Sequence, residues 1–116
     1  MNNKILDVEK INGLKFPELY LTFLERISEN EVFEIENTGI CFYSFSDLTE
    51  RNETYEVKKY ASDFFMVGQE GDKGYFINSK SPMDEIIYSN DLGAIGSLAM
   101  VKEAENIFEL IEKMKI

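Results

Sequence analysis

The sequence predicts an α+β domain. Apolar residues recur at three- and four-residue spacings near both ends and alternate in twos through the middle, and only two prolines interrupt the chain. The expected architecture is a mainly antiparallel mixed sheet flanked by N-terminal and C-terminal helices.

Residues 4–12 read as a short opening helix with Asp7 near its start. A stronger helix is expected over 17–28. Pro17 suits its first position, where the missing N–H would have no partner anyway. Leu19, Tyr20, Phe23, Leu24 and Ile27 then form one apolar stripe, with Glu18, Thr22, Glu25 and Arg26 mostly opposite. In 32–36 the period changes to two: Phe33 and Ile35 point one way, Glu34 and Glu36 to water. Asn37-Thr38-Gly39 makes a turn into a buried strand over 40–45. Residues 46–60 are polar and charged, and read as a long loop or an irregular excursion. A third strand is expected over 63–67. The stretch from Gly68 through Gly71 to Gly74 is a glycine-punctuated turn into a fourth at 74–78. Pro82 precedes a fifth at 85–89. Ile107, Leu110, Ile111 and Met114 stand at i, i+3, i+4 and i+7, which places a closing helix over 103–114.

A chain of 116 residues is the length of one domain, expected to span 1–116. Nine Phe and six Tyr supply a core, the opposite of a disordered composition. Cys41 is the only cysteine, so no internal disulfide can form and the fold needs no oxidising compartment. The first residues lack the apolar run of a signal peptide, and no stretch approaches the ~20 apolar residues of a membrane helix. The expected home is a reducing cytoplasm, with no membrane insertion.

Charge separates the functional classes further. The net charge is −10, and residues 29–56 carry eight acids against Arg51 alone. A nucleic-acid binder needs a basic footprint, so direct nucleic-acid binding is not expected. The acidity is either a solubilising surface or a face that attracts a basic partner. Histidine is absent, which removes the commonest general base and metal ligand. Cys41 sits in an apolar run with nothing nearby to stabilise a thiolate, and reads as core filling. Gly68, Gly71 and Gly74 do not follow a phosphate-loop spacing, and Lys73 precedes Gly74 rather than Ser or Thr. Pairs such as Asp84 with Glu85, or Asp72 with Asp91, lack the spacing of a calcium loop. Neither a catalytic residue nor a metal or cofactor site is expected.

In their order, several segments resemble the SUKH superfamily, which groups the Smi/Knr-type cell-wall-assembly-regulator domain with bacterial immunity proteins and Syd. Leu14 to Leu24, an apolar-Pro-x-x-Tyr-x-x-Phe-Leu pattern, is similar to the family's opening helix. Phe64-Phe65-Met66-Val67-Gly68, then Gly71, Gly74 and Tyr75-Phe76-Ile77, resembles its central strand, glycine turn and strand. Glu85-Ile86-Ile87-Tyr88 and Ala104 to Ile111 resemble the next strand and closing helix, so the resemblance spans about residues 14–114. It implies a non-catalytic binding scaffold: a bacterial immunity protein that neutralises a cognate, often nuclease, toxin. A regulatory scaffold of the cell-wall type remains an alternative, as does a carboxylate-based enzyme.

The expected partner is therefore a basic protein. Its contact surface should draw on Glu34, Glu36, Asp47, Glu50, Glu53, Glu56, Glu70 and Asp72, with Tyr43, Tyr55 or Tyr60 as aromatic anchors.

Overall fold

The computed structural model of the protein describes residues 3–27 and 29–115. Its architecture is α+β. Helices α1 (Asn3–Asn12) and α2 (Glu18–Arg26) lead into short strands β1 (Phe33–Glu34) and β2 (Cys41–Phe42). Helices α3 (Phe45–Thr54) and α4 (Val57–Tyr60) follow, then β3 (Phe64–Glu70), β4 (Lys73–Asn78), β5 (Ile87–Asp91), β6 (Val101–Ala104) and α5 (Ile107–Met114). The six strands form one sheet in sequence order, and every pairing is antiparallel.

The aromatic residues explain why this sheet and these helices cohere. Register aligns Phe33, Phe42, Gly68, Tyr75 and Ser89 in one row across β1 to β5. Helix α2 lies over that row. The Phe23 ring meets Phe33 at 5.4 Å and Phe42 at 5.9 Å, both edge-on, and Phe16 meets Phe65 at 5.9 Å. Phe108 of α5 closes on Phe23 from beside it, under the Arg26 guanidinium. Such edge-to-face contacts add to the burial of each ring. Tyr20, Phe23 and Leu24 bury the stripe that the spacing predicts, whereas Leu19 points out and is 38% exposed. The β4–β5 loop docks on this helix through Glu85, whose carboxylate accepts the Leu19 N–H at 3.0 Å. Pro17 lies just before α2, as its N-cap with an extended ψ, rather than at the first helical position. The helix ends at Arg26, with Ile27 already extended, short of the expected end at residue 28, which itself lies outside the described residues.

Gly71 and Asp72 form the two-residue connection of the β3–β4 hairpin, between paired Glu70 and Lys73. Gly71 has φ +56° while Asp72 does not enter the positive region, the pattern of a type II′ turn. The glycine-rich turn is thus shorter than expected, and Gly68 and Gly74 sit inside the strands. Gly68 is required for another reason. A Cβ there would fall 2.4 Å from the Cys41 carbonyl oxygen and 2.6 Å from the Phe42 ring. Its missing side chain lets the Phe42 and Tyr75 rings, its neighbours in the row, approach to 5.7 Å across it.

Three segments differ from the sequence-based expectation. The strand expected over 40–45 is only Cys41–Phe42, and Phe45 already belongs to α3. Residues 46–60 are not a loop: most of them form α3 and α4, packed on β3 and, through α3, on α1. The buried positions of α3 are Phe45, Leu48 and Asn52, so a polar residue interrupts its apolar stripe. The closing helix begins at Ile107 rather than 103, because Val101–Ala104 pairs with β5 as a sixth strand. Asn106 accepts the Glu109 N–H at 2.9 Å, and Glu109 reaches back to the Glu105 N–H, a close relative of the capping box.

Asn52 holds the place that a longer β2 would occupy. The chain leaves β3 after Phe42 and enters α3, with Tyr43 N–H still bonded to the Val67 carbonyl. Met66 then has no strand beside it on that edge. Asn52 accepts the Met66 N–H at 2.7 Å and donates to the Met66 carbonyl at 2.9 Å, with a second donation to Leu48. One amide side chain satisfies both backbone groups, which burial would otherwise leave unpaired.

Candidate functional site

The sheet edge formed by β1 and β2, together with α3, collects the largest group of the expected contact residues. Register places Glu34, Cys41 and Gln69 side by side across β1, β2 and β3. The Tyr43 hydroxyl donates to the Gln69 side-chain carbonyl, and the Arg51 guanidinium stands 5.9 Å from the centre of the Tyr43 ring. Arg51 also pairs with Glu50 at 3.7 Å. Tyr55 and Asp47 are close enough to act on the Tyr43 hydroxyl electrostatically. Glu34, Tyr43, Asp47, Glu50 and Tyr55 therefore lie around one polar centre.

Helix geometry explains the α3 contribution. Phe45, Leu48 and Asn52 face inward, which turns Glu50 and Glu53 outward and leaves Asp47 and Arg51 at the margin. Burial pushes the Tyr43 phenol well above its ordinary value, with smaller effects from its charged neighbours. Tyr43 is only 4% exposed, so it supports this surface from beneath rather than projecting as an anchor. The Cys41 thiol is also pushed up by burial, against the bond it makes to the Gln69 carbonyl. That is the reverse of an activated nucleophile.

The other expected residues lie elsewhere. Glu36 borders a cavity with Phe33, Ile111 and Lys115, and Glu34 lines the same cavity. Glu53 and Glu56 line a groove between α1 and the α3–α4 junction, beside Ile11 and Lys59. Glu56 is unusual in having φ +51° without being Gly or Asn, and it pairs with Lys59 at 3.6 Å. Glu70 and Asp72 are exposed at the β3–β4 hairpin. Tyr60 is 48% exposed at the end of α4, away from Tyr43, and borders a cavity under the 96–100 segment.

Among the described residues, the carboxylates of Glu31, Glu34, Glu36, Asp47 and Glu53 form no ion pair. The acidic stretch is thus poor in counter-charge as well as rich in acid. In contrast, three of the four carboxylates weighed from sequence as acid–base pairs are engaged structurally, and only Asp72 stands exposed at the hairpin. Asp84 accepts from Tyr88, Asn78 and the Ile86 N–H, Glu85 caps α2, and Asp91 accepts the Gly93 N–H. No group of three or more His, Cys, Asp and Glu among the described residues is placed to hold a metal ion. No helix among the described residues is long and apolar enough to cross a membrane.

Sequence reasoning missed three polar features. Asn52 was hidden in a stretch read as loop. Asn90 is buried on β5 with its amide bonded to the Leu98 carbonyl at 3.0 Å. Ser89, Glu103 and Lys73 join β5, β6 and β4: the Glu103 carboxylate accepts from Lys73 at 2.9 Å and from the Ser89 hydroxyl at 2.6 Å. Only the pairing of β6 with β5 brings Glu103 to this cluster, so no local pattern announces it.

No protein-family model matches the chain, and no curated protein matches it.

Proposed function

We propose that this chain is a non-catalytic protein-binding domain of the SUKH type, an immunity protein that binds and neutralises a basic, nuclease-like toxin in the cytoplasm. The observation that carries this reading is the set of acids on β1, α3 and their connections that face solvent without a paired cation. A nuclease must present positive charge to hold its substrate. An acidic surface with few internal counter-ions can occupy that site and speed encounter through long-range attraction. Buried Tyr43, bonded to Gln69 and flanked by the Arg51 guanidinium, supports this surface from beneath.

The test is affinity capture of the partner from the native cell, followed by association rates measured across a salt series. The wild type should associate fast at low salt and lose that advantage as salt rises. Glu34/Glu50/Glu53/Glu56→Gln should slow association about tenfold at low salt and flatten the salt dependence. Identical rates and slopes would reduce the acidic face to a solvated surface and remove the argument for this function.

A further inference from the structure

The sheet has two edges, and they are finished differently. At β6 the closing helix engages the backbone: Lys113 donates to the Glu103 carbonyl, and Glu109 accepts the Glu105 N–H. At β1 the ladder leaves polar groups over. Residues opposite one another in an antiparallel pair alternate between hydrogen-bonded and non-bonded. The Ile35 N–H bonds the Ile40 carbonyl at 2.9 Å, so Phe33 and Ile35 turn their backbone groups toward β2. Glu34 lies between them and turns its N–H and C=O to the open side. The Glu36 N–H and C=O, two residues on, have no partner among the described residues.

The space beside this edge has a definite shape. A cavity of about 320 Å³ is lined by residues 33–37, by Ile111 of α5 and by Lys115. Side chains of a strand alternate between its faces, so a run of consecutive residues lines one cavity only where it follows the backbone edge. Phe33 and Ile35 turn to the face where Phe33 meets Phe23, and Ile35 is buried there. Glu34 and Glu36 are exposed on the other face, without an ion pair among the described residues. Lys115 is already paired with Glu112 at 3.4 Å. An occupant must therefore bring backbone donors and acceptors to the edge, an apolar side chain toward Phe33 and Ile111, and positive charge toward Glu34 and Glu36. A second copy of this chain brings the backbone but sets these acids against their own equivalents. Like charges directly opposite one another destabilise a strand pair.

We propose that β1 is a docking edge for an extended basic segment of a protein partner, added antiparallel as a further strand, with basic residues beside Glu34 and Glu36 and an apolar residue between them facing Phe33 and Ile111. Backbone bonds at Glu34 hold the segment, and its alternation of charged and apolar side chains selects it. This deepens the protein-binding reading above and rests on it for the source of the segment.

The edge can be tested before any partner is known, with the acetylated peptide amide Thr-Lys-Val-Lys-Val-Lys-Thr as the probe in an NMR titration of the full chain. The Glu34 amide resonance should move downfield, and its hydrogen exchange should slow about tenfold at saturation as the N–H gains a carbonyl partner. In this antiparallel addition the lysine N–H groups face β1 and the valine N–H groups face away. Methylating the backbone nitrogen of the central lysine should weaken binding about tenfold, whereas methylating a valine nitrogen should not. The same peptide with glutamates for lysines should not bind. Glu34→Gln should weaken the probe a few-fold. Glu34→Pro should abolish binding with thermal unfolding little changed, because an edge tolerates proline where the N–H faces outward. If that variant unfolds, the paired methylations decide alone. Shifts confined to other surfaces, equal losses from the two methylations, or binding of the glutamate peptide would each overturn the proposal. A homodimer that Glu34→Pro splits would overturn it too, by assigning the edge to a second copy. With the captured partner, Glu34→Pro should raise the dissociation rate well beyond Glu34→Gln. If the two variants dissociate alike, the docking edge falls while the acidic-face reading stands. If the probe binds as described but no basic protein does, the edge stands and the proposed function falls.

Discussion

Asn52 is the residue on which the middle of the structure turns. Its side chain bonds both the N–H and the carbonyl of Met66, substituting for a strand at the point where β2 gives way to α3. Asn52→Ala should destabilise the protein by about 3 kcal/mol, since two buried backbone groups lose their partner at once. Asn52→Asp should recover little at neutral pH, because a carboxylate would face the Met66 carbonyl. Urea unfolding of both variants checks this, and a loss below half a kilocalorie for Asn52→Ala would show that water replaces the amide. From sequence, this residue looked like one more polar position in 46–60. What gives it meaning is an edge that exists only after β3 has paired, so propensity and periodicity carry no trace of it.

At the scale of elements, the glycines of β3 and the hairpin separate into two physical roles. Gly71 sits at φ +56° with open space around its would-be Cβ, so Gly71→Ala should cost about 1 kcal/mol of backbone strain. Gly68 has an ordinary φ but no room, and the nearest obstacle is the backbone oxygen of Cys41. Gly68→Ala should therefore cost about 3 kcal/mol and loosen β2 from β3, visible as faster amide exchange in β1 and β2. Equal effects at the two sites would contradict this division. The sequence expectation treated all three glycines as turn residues. Only Gly71 is one, and the close approach between strands that Gly68 permits is a tertiary condition. The helical character of α3 was missed for a related reason. Buried Asn52 breaks the apolar period that would have announced it.

At the scale of the whole molecule, a few half-buried carboxylates govern the response to acid. Glu103 and Asp84 both lie below their ordinary values. Burial alone would raise them, and hydrogen bonds outweigh it: from Ser89 and Lys73 at Glu103, and from Tyr88, the Ile86 N–H and Asn78 at Asp84. The bond from Tyr88 also helps burial push that phenol up to about 12. A depressed carboxyl holds fewer protons in the folded than in the unfolded state. Its contribution is complete above the unfolded value, near pH 4, and is lost as pH falls through the lower folded one. Lys73 is shifted upward, with burial opposing and the bond to Glu103 favouring the charged form. Its contribution is present below the unfolded lysine value and disappears as pH rises through the folded one. Glu103→Gln should thus lower the urea midpoint at neutral pH and flatten both the acid and the alkaline limbs of the stability profile. Limbs parallel to those of the wild type would mean that the cluster joining β4, β5 and β6 contributes nothing.

The sequence by itself determined the α+β class, the stripes of α2 and α5, the alternation of Phe33 and Ile35 against Glu34 and Glu36, and the acidic bias of 29–56. All of these are local, because they follow from side-chain spacing along a helix or strand or from composition. Only the tertiary structure decided which acids share a surface: Asp47 and Glu50 gather around Tyr43, Glu34 lies beside Cys41 and shares a cavity with Glu36, and Glu53, Glu56 and the hairpin acids disperse. It also made β6 a strand, buried Tyr43, and left the Asn90 carbonyl facing no donor among the described residues. The physical reason is the same in each case. Burial and partnership depend on residues far apart in the chain, and those distances are set only when the sheet closes and the helices pack upon it.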